Sequence, residues 1–151
     1  MRFFVQNSFL KKNCIYHLPL FLLSFYCRLI PGVTAHLFKL TSKLNIPVKG
    51  KTVDEHTRCI HYHSPKDIIA IRMKCCNEYY PCIDCHNEAA DHPAEVWPSN
   101  EFDTKAVLCG ECYNEITITQ YLQGNHQCPF CKASFNPGCS NHYHHYFSIK
   151  K

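Results

Sequence analysis

Ten of the twelve cysteines lie between Cys59 and Cys139, and three intervals among them are C-x2-C: Cys82/Cys85, Cys109/Cys112 and Cys128/Cys131. Histidines are set among them at His61, His63, His86 and His92. A C-x2-C turn lets two thiolates grip one ion, and two such turns close a tetrahedral site, so these are zinc-ligand spacings. One pair alone would mean little. Three pairs, joined by Cys59-x-His61, the adjacent Cys75-Cys76 and Cys85-His86-x5-His92, leave few folds open to the chain.

The need for such ligands follows from size. The 151 residues suit one compact domain and an extension. Residues 54–151 hold few long apolar runs, and a core that small calls for metal or disulfide staples. A disulfide scaffold has no use for the interleaved histidines, so metal is the favoured staple.

Charge narrows the partners. The formal net charge of +4 hides an asymmetry, because residues 1–53 contain eight Lys or Arg and no Asp or Glu. Residues 54–151 carry eight basic and twelve acidic groups, a net of −4. Nine thiolates holding three divalent ions would add about −3 more. Non-specific nucleic-acid affinity rests on Lys and Arg, so no nucleic-acid partner is expected.

The chain divides into an N-terminal extension, 1–46, and a domain, 47–151, with Pro47 and Gly50 punctuating the boundary. In the extension, Leu18 to Cys27 is apolar, with His17 before it and Arg28 after it. Ten residues are too few for a helical span, which needs about 20, so no stable membrane span is expected. A basic, acid-free start fits a targeting segment, mitochondrial or secretory; a disordered tail is the alternative. Cys14 and Cys27 receive no metal role. Within the domain, Ile68-Ile69-Ala70-Ile71 and Ala106-Val107-Leu108 read as short strands. Residues 82–91 read as a short helix after the first C-x2-C turn. Thr117-Ile118-Thr119-Gln120 has the form of a capping box, opening a helix that stops at Gly124-Asn125. Tyr79, Tyr80, Tyr113, Tyr121, Phe130 and Phe135 are expected to fill the core.

Cys109, Cys112, Cys128 and Cys131 form one four-cysteine site by spacing. Four thiolates leave no coordination position for water, which argues for structure rather than catalysis. Cys59, His61, Cys75, Cys76, Cys82, Cys85, His86 and His92 supply ligands for two more sites. Cys82 and Cys85 should share an ion. Neighbouring side chains in extended chain point to opposite faces, which would send Cys75 and Cys76 to different ions.

Two other motifs compete for these residues. Cys82-Ile83-Asp84-Cys85-His86 matches a c-type haem attachment site, but haem would leave the remaining thiols unexplained. Cys128-Pro129-Phe130-Cys131 resembles a redox pair, which normally sits at a helix N-terminus in a βαβ context. Cys139, His142, His144 and His145 are left over; surface histidines account for them more simply than a further metal site. His63 and His126 are read the same way.

Together, Cys59-Ile60-His61-Tyr62, Cys75-Cys76, Cys82-x2-Cys85-His86, His92, Cys109-x2-Cys112 and Cys128-x2-Cys131 resemble the CHY-type zinc finger family. The resemblance implies a small metal-stabilised α+β fold with short strands and short helices. It also implies three interleaved zinc sites built from those twelve positions. The likeness reaches Lys51-Thr52-Val53-Asp54, the run from Asp67 to Arg72, and Phe135-Asn136-Pro137-Gly138-Cys139 with His142, Tyr146 and Phe147. These stretches are similar to a fungal branch of the family in the mitochondrial intermembrane space. That likeness implies a non-enzymatic, chaperone-like zinc protein assisting oxidative assembly of cysteine-rich partners, the small Tim proteins and their import oxidoreductase. The cytoplasm is the alternative location. The alternative functions are an interaction module of ubiquitin ligation and a thiol oxidoreductase using Cys128/Cys131 or Cys139.

Overall fold

The computed structural model describes residues 46–149. The extension expected over 1–46, with its apolar stretch and Cys14 and Cys27, lies outside the described residues except for Ile46.

Four short strands make one antiparallel sheet: β1 (Ile69–Arg72), β2 (Tyr79–Tyr80), β3 (Lys105–Cys109) and β4 (Glu115–Thr117), in spatial order β2-β1-β3-β4. The β-branched run in β1 buries both faces, as its sequence predicts. Ile69 and Ile71 join the main core, while Ala70 faces the other side with Tyr79 and Leu108. Ala70 sits opposite Leu108 in the β1–β3 register, so the two share a face. In β3 the alternation breaks, and Ala106 and Val107 both reach the main core. The β3–β4 register shifts between Lys105 and Val107, which makes Ala106 the extra residue of a bulge.

The main core gathers Trp97, Ile116, Ile118, Tyr121, Phe135 and Phe147 against the sheet. Each such side chain contributes about 1.5–3 kcal/mol on burial. Trp97 also ties the C-terminal strip to β1. Its N–H donates to the Tyr146 carbonyl at 2.8 Å, and its carbonyl accepts from Ser148 N–H at 2.9 Å. Its indole Nε1–H donates to the Arg72 carbonyl at 2.8 Å.

Helices are short, as expected. α1 (Ile83–Ala89) starts from Cys82, whose sulfur accepts from Cys85 N–H at 3.4 Å. α2 (Ile118–Gln123) follows β4 directly. Its capping box is complete: Thr117 Oγ1 accepts from Gln120 N–H, and Gln120 Oε1 accepts from Thr117 N–H, both at 3.1 Å. A 3-10 helix, Pro137–His145, closes the domain. Among the described residues no helix is long and apolar enough to cross a membrane.

The strand expected at 68–71 lies one residue further on, and the helix expected over 82–91 is shorter at both ends. Of the aromatic residues assigned to the core, Tyr79, Tyr80, Tyr121 and Phe135 are buried and Tyr113 is half-buried. Phe130 is 54% exposed, contrary to expectation. It occupies the tip of the Cys128–Cys131 turn, where the sulfurs take the inner side.

Candidate metal centres

All twelve candidate side chains converge into three groups of four, with donor atoms within 4.8 Å of one another in each. The first group is Cys59, His61, Cys82 and Cys85; the second is Cys75, Cys76, His86 and His92; the third is Cys109, Cys112, Cys128 and Cys131. The first two interleave along the chain, and the third follows them. None of the ten described cysteines is in a disulfide.

The spacing of donor atoms tests whether zinc fits. Donors at about 2.3 Å (sulfur) and about 2.0–2.1 Å (nitrogen) in a tetrahedron lie about 3.8 Å apart for S/S, about 3.5 Å for S/N and about 3.3 Å for N/N. In the first group Cys59 Sγ and Cys82 Sγ are 3.7 Å apart, and His61 Nδ1 is 3.5 Å from both Cys82 Sγ and Cys85 Sγ. In the second, Cys75 Sγ to Cys76 Sγ is 4.0 Å, Cys75 Sγ to His86 Nε2 is 3.3 Å, and His86 Nε2 to His92 Nε2 is 3.4 Å. In the third, Cys109 to Cys131 is 3.8 Å and Cys112 to Cys128 is 3.7 Å. A disulfide would require about 2.05 Å. Three clusters of this composition and size fit three zinc ions.

One backbone turn builds most of this. In the third group Cys109 N–H donates to the Asn114 carbonyl at 3.1 Å, and Tyr113 N–H donates to the Cys109 carbonyl at 2.8 Å. Cys128 repeats the pattern with Ala133 at 2.9 Å and Lys132 at 3.0 Å. Both turns need a left-handed residue after the second cysteine: Tyr113 at φ 57° and Lys132 at φ 64°. The loop between β1 and β2 is the same turn. Met73 N–H donates to the Glu78 carbonyl at 2.9 Å, Asn77 N–H donates to the Met73 carbonyl at 2.8 Å, and Asn77 has φ 58°. Cys76 therefore holds the position of Cys112 and Cys131, and Cys75 the position before it.

This overturns the expectation that Cys75 and Cys76 go to different ions. That expectation assumed extended chain, whereas a tight turn carries both sulfurs to one side. The adjacent pair that separates is Cys85-His86, at the start of α1: Cys85 faces the first cluster and His86 the second. The haem-like CIDCH run is thus divided between two clusters.

Outer partners orient the imidazoles. His61 turns Nδ1 to its cluster and Nε2 to Glu88 Oε1 at 3.2 Å, and Glu88 also meets Lys51 Nζ at 3.0 Å. His92 has its Nδ1 3.0 Å from Asp91 Oδ1. Asp91 adjoins His92 in the chain and could have been anticipated; Glu88 lies 27 residues from His61 and gave no sequence signal. Gly50 is a packing partner that spacing also could not reveal. At φ +93° it lies so close to Cys85 that a Cβ there would be 2.7 Å from the Cys85 Cβ.

Burial and then neighbouring thiols push the Cys82 and Cys109 thiols far up in the metal-free protein, and Cys131 is pushed up to about 11. Burial also acts to raise Cys112, but hydrogen bonds centred on Asn114 outweigh it and hold that thiol below its ordinary value. Buried thiols of this kind become thiolates when a cation compensates the charge. A reactive redox cysteine needs the reverse, a low pKa near a helix N-terminus. No described helix begins at Cys128 or Cys131. His63, His126, Cys139, His142, His144 and His145 belong to none of the three clusters.

The family model for the CHY zinc finger matches residues 59–146. The chain is 47% identical over 103 residues to Helper of Tim protein 13 of Saccharomyces cerevisiae, covering 66% of this chain and 89% of that one. It is 45% identical over 100 residues to Helper of Tim protein 13 of Kluyveromyces lactis, covering 66% and 87%. An E3 ubiquitin-protein ligase of Arabidopsis thaliana is 32% identical over 89 residues, covering 51% of this chain and 29% of the ligase. Ligand pattern, cluster geometry and family match agree, and the chain belongs to the CHY zinc finger family.

Proposed function

We propose that the twelve clustered side chains ligate three zinc ions, and that the protein is a zinc-handling helper in the assembly of cysteine-rich proteins. In this reading its partners are the small Tim proteins and the oxidoreductase that oxidises them, in the mitochondrial intermembrane space. The observation that carries it is the similarity to the two yeast proteins named Helper of Tim protein 13, across nearly their whole length.

When bound, zinc would hold thiolates out of thiol–disulfide exchange, so removing it from a partner restores that partner's reactivity. The chain's own residues suit exchange. Cys131 is exposed, Cys112 is half-buried, and Cys109 and Cys128 are buried, so Cys131 is the ligand of the third cluster that an incoming thiol reaches most readily. His61 and His92 are held by carboxylates on their outer nitrogens, which keeps the first two clusters closed.

The test is deletion of the gene, followed by zinc content and thiol state of the small Tim proteins in isolated mitochondria. The reading expects more zinc and fewer disulfides on those partners. Unchanged zinc and normal oxidation, or absence of the protein from mitochondria, defeats it. The Arabidopsis ligase favours a second reading, an interaction module of ubiquitin ligation. That similarity spans 29% of the ligase. Autoubiquitination by the purified chain with a conjugating enzyme would support it.

A further inference from the structure

We infer that a cavity between β1 and the Pro137–His145 3-10 helix binds a small neutral aromatic molecule, of one or two rings and with one hydrogen-bonding group, such as a phenol or an indole. The site stands whether or not the zinc-handling reading holds. Its size, its walls and one unpaired hydroxyl all point to such a guest.

The cavity has a volume of about 240 Å³. An apolar cavity of about 150 Å³ is enough for benzene, so this one has room for a second ring or a polar substituent. The 3-10 helix beside it is tied at both ends. Before its first turn, Asn136 N–H donates to the Lys66 carbonyl at 3.0 Å, and Asn136 Nδ2–H donates to Asp67 Oδ1 at 2.8 Å. After its last turn, the Tyr146 hydroxyl accepts from Ile83 N–H at 2.8 Å. Held at these two points, the helix spans the space instead of collapsing onto the sheet.

The walls select the guest. Ile69 and Ile71 line the cavity from the sheet, and Tyr121, Tyr143, Tyr146 and Phe147 line it with rings. These rings already pack edge-on, with centroids 5.4 Å apart for Tyr121 and Tyr143 and 6.1 Å apart for Tyr143 and Phe147. Their orientations are therefore set before a guest enters, and an aromatic guest extends the same packing. No Lys or Arg lines the cavity and Asp67 does, which disfavours an anion. The two Asp67 oxygens already accept from Asn136 Nδ2–H and Ser64 N–H, each at 2.8 Å, so a cation would shed its water without gaining a free carboxylate.

Thr57 supplies the polar contact. It lines the cavity, is 2% exposed, and its hydroxyl has no hydrogen-bond partner among the described residues. A buried hydroxyl left unpaired is costly, and the O–H of a phenol or the N–H of an indole would pair it. Cys139 lines the same cavity, half-buried and outside the three clusters, so its thiol reports on occupancy.

The experiment is a calorimetric titration of the zinc-loaded full chain with phenol and with indole, paired with the rate at which iodoacetamide alkylates Cys139. Mass spectrometry of the Cys139 peptide separates it from Cys14 and Cys27. The expected result is one site per chain with a Kd of about 0.1–1 mM. At saturation, alkylation of Cys139 slows about tenfold while Cys14 and Cys27 react as before. Gly138→Leu should abolish binding, because Gly138 lines the cavity; a Cβ there meets only the Asn136 side chain, so the variant has room to fold. Thr57→Val should weaken phenol about tenfold and leave toluene unchanged. Zinc content should stay the same in both variants. The proposal is overturned by no saturable binding below about 10 mM, by unchanged alkylation of Cys139, by undiminished phenol binding in either variant, or by tighter binding of tetramethylammonium or benzoate than of phenol.

Discussion

The third cluster packs closely against the chain leading into the first at Gly110, and Gly110→Ala puts that junction under test. Gly110 lies inside the Cys109–Cys112 turn, and its N–H donates to the Ile68 carbonyl at 2.8 Å. A Cβ at this position would stand 2.1 Å from the His56 carbonyl oxygen, 2.6 Å from the His56 carbonyl carbon and 2.7 Å from Thr57 Oγ1. Two of these neighbours are backbone, so rotamer changes cannot relieve the clash, and the loop must move by roughly 1 Å or more.

That loop is pinned. His56 N–H donates to Asp54 Oδ1 at 2.8 Å, Arg58 Nη1–H to Asp54 Oδ2 at 2.7 Å, and the Tyr113 hydroxyl to the Glu55 carbonyl at 2.7 Å. Overpacking costs about 1–3 kcal/mol. Loss of one hydrogen bond as the loop shifts adds about 1 kcal/mol. The total is ~3 kcal/mol, which for a domain of this size lowers Tm by at least about 10 °C. The assay is thermal unfolding of the zinc-loaded protein followed by circular dichroism, with Gly138→Ala as control. A Cβ at Gly138 meets only the Asn136 side chain, at 3.2 Å, so that variant should melt within a few degrees of wild type. Because Cys59 follows the displaced loop, the Gly110 variant should also release zinc to a chelator more readily. A Tm shift below about 4 °C, under ~1 kcal/mol, would refute the packing argument.

Trp97, the sole tryptophan, is buried beside the turn that carries Cys75 and Cys76, with the Lys74 ammonium 4.7 Å from its ring centroid. Removal of zinc should shift its fluorescence to the red, and unchanged emission in chelator would show that the turn keeps its place without metal. Thr117→Ala removes the hydroxyl that accepts from Gln120 N–H, one of the two bonds of the capping box, and should cost about 1 kcal/mol, read from denaturant midpoints at constant slope. Zinc loading at pH 7 should release close to one proton for each of the nine clustered thiols, measured with a pH indicator. The two forms should also respond to pH in opposite directions. In the metal-free protein Cys131, raised to about 11, contributes stability that is full below about 8.5 and lost as pH climbs toward 11. In the loaded protein the thiolates are already formed, so stability is lost as pH falls and protons displace the ions. Parallel pH profiles for the two forms would contradict the thiolate assignment.

Much of the site was legible because ligand spacing is local. C-x2-C fixes two sulfurs within one turn whatever the rest of the fold does, and the capping box at Thr117 likewise needs only four residues. What escaped was set by distant partners. Tyr79–Tyr80 is a strand only because β1 lies alongside, and two residues show no alternation. β4 overlaps the capping residue of α2, so Thr117 serves both elements and the helix signal hides the strand. The Cys75-Cys76 error came from assuming a conformation for residues whose turn is closed by Met73, Asn77 and Glu78, none of them a ligand. Phe130 followed the rule that aromatics are buried, but in a four-residue turn whose inner side holds two sulfurs nothing remains to cover it.

The division of Cys85 and His86 carries a consequence for zinc release. Adjacent residues have Cα atoms about 3.8 Å apart, and both belong to the seven-residue helix α1. Seven residues are too few for a stable helix in isolation, so α1 depends on the clusters at its start. Loss of the ion from the first cluster frees Cys82 and Cys85, and with them the sulfur that caps the helix. The helix then loses its anchor, and His86, buried on the next residue, no longer presents Nε2 to Cys75. The first two ions should therefore leave together. The third cluster hangs on two turns of its own and shares no ligand-bearing helix with the others, so its ion should leave separately. Chelator titration followed by a zinc indicator should resolve two phases with amplitudes of two ions and one. Cys85→Ser should abolish the two-ion phase and leave the single one, whereas Cys128→Ser should do the reverse. Three equal and independent phases would mean that α1 holds its shape without metal, and that the interleaved ligand order has no mechanical effect.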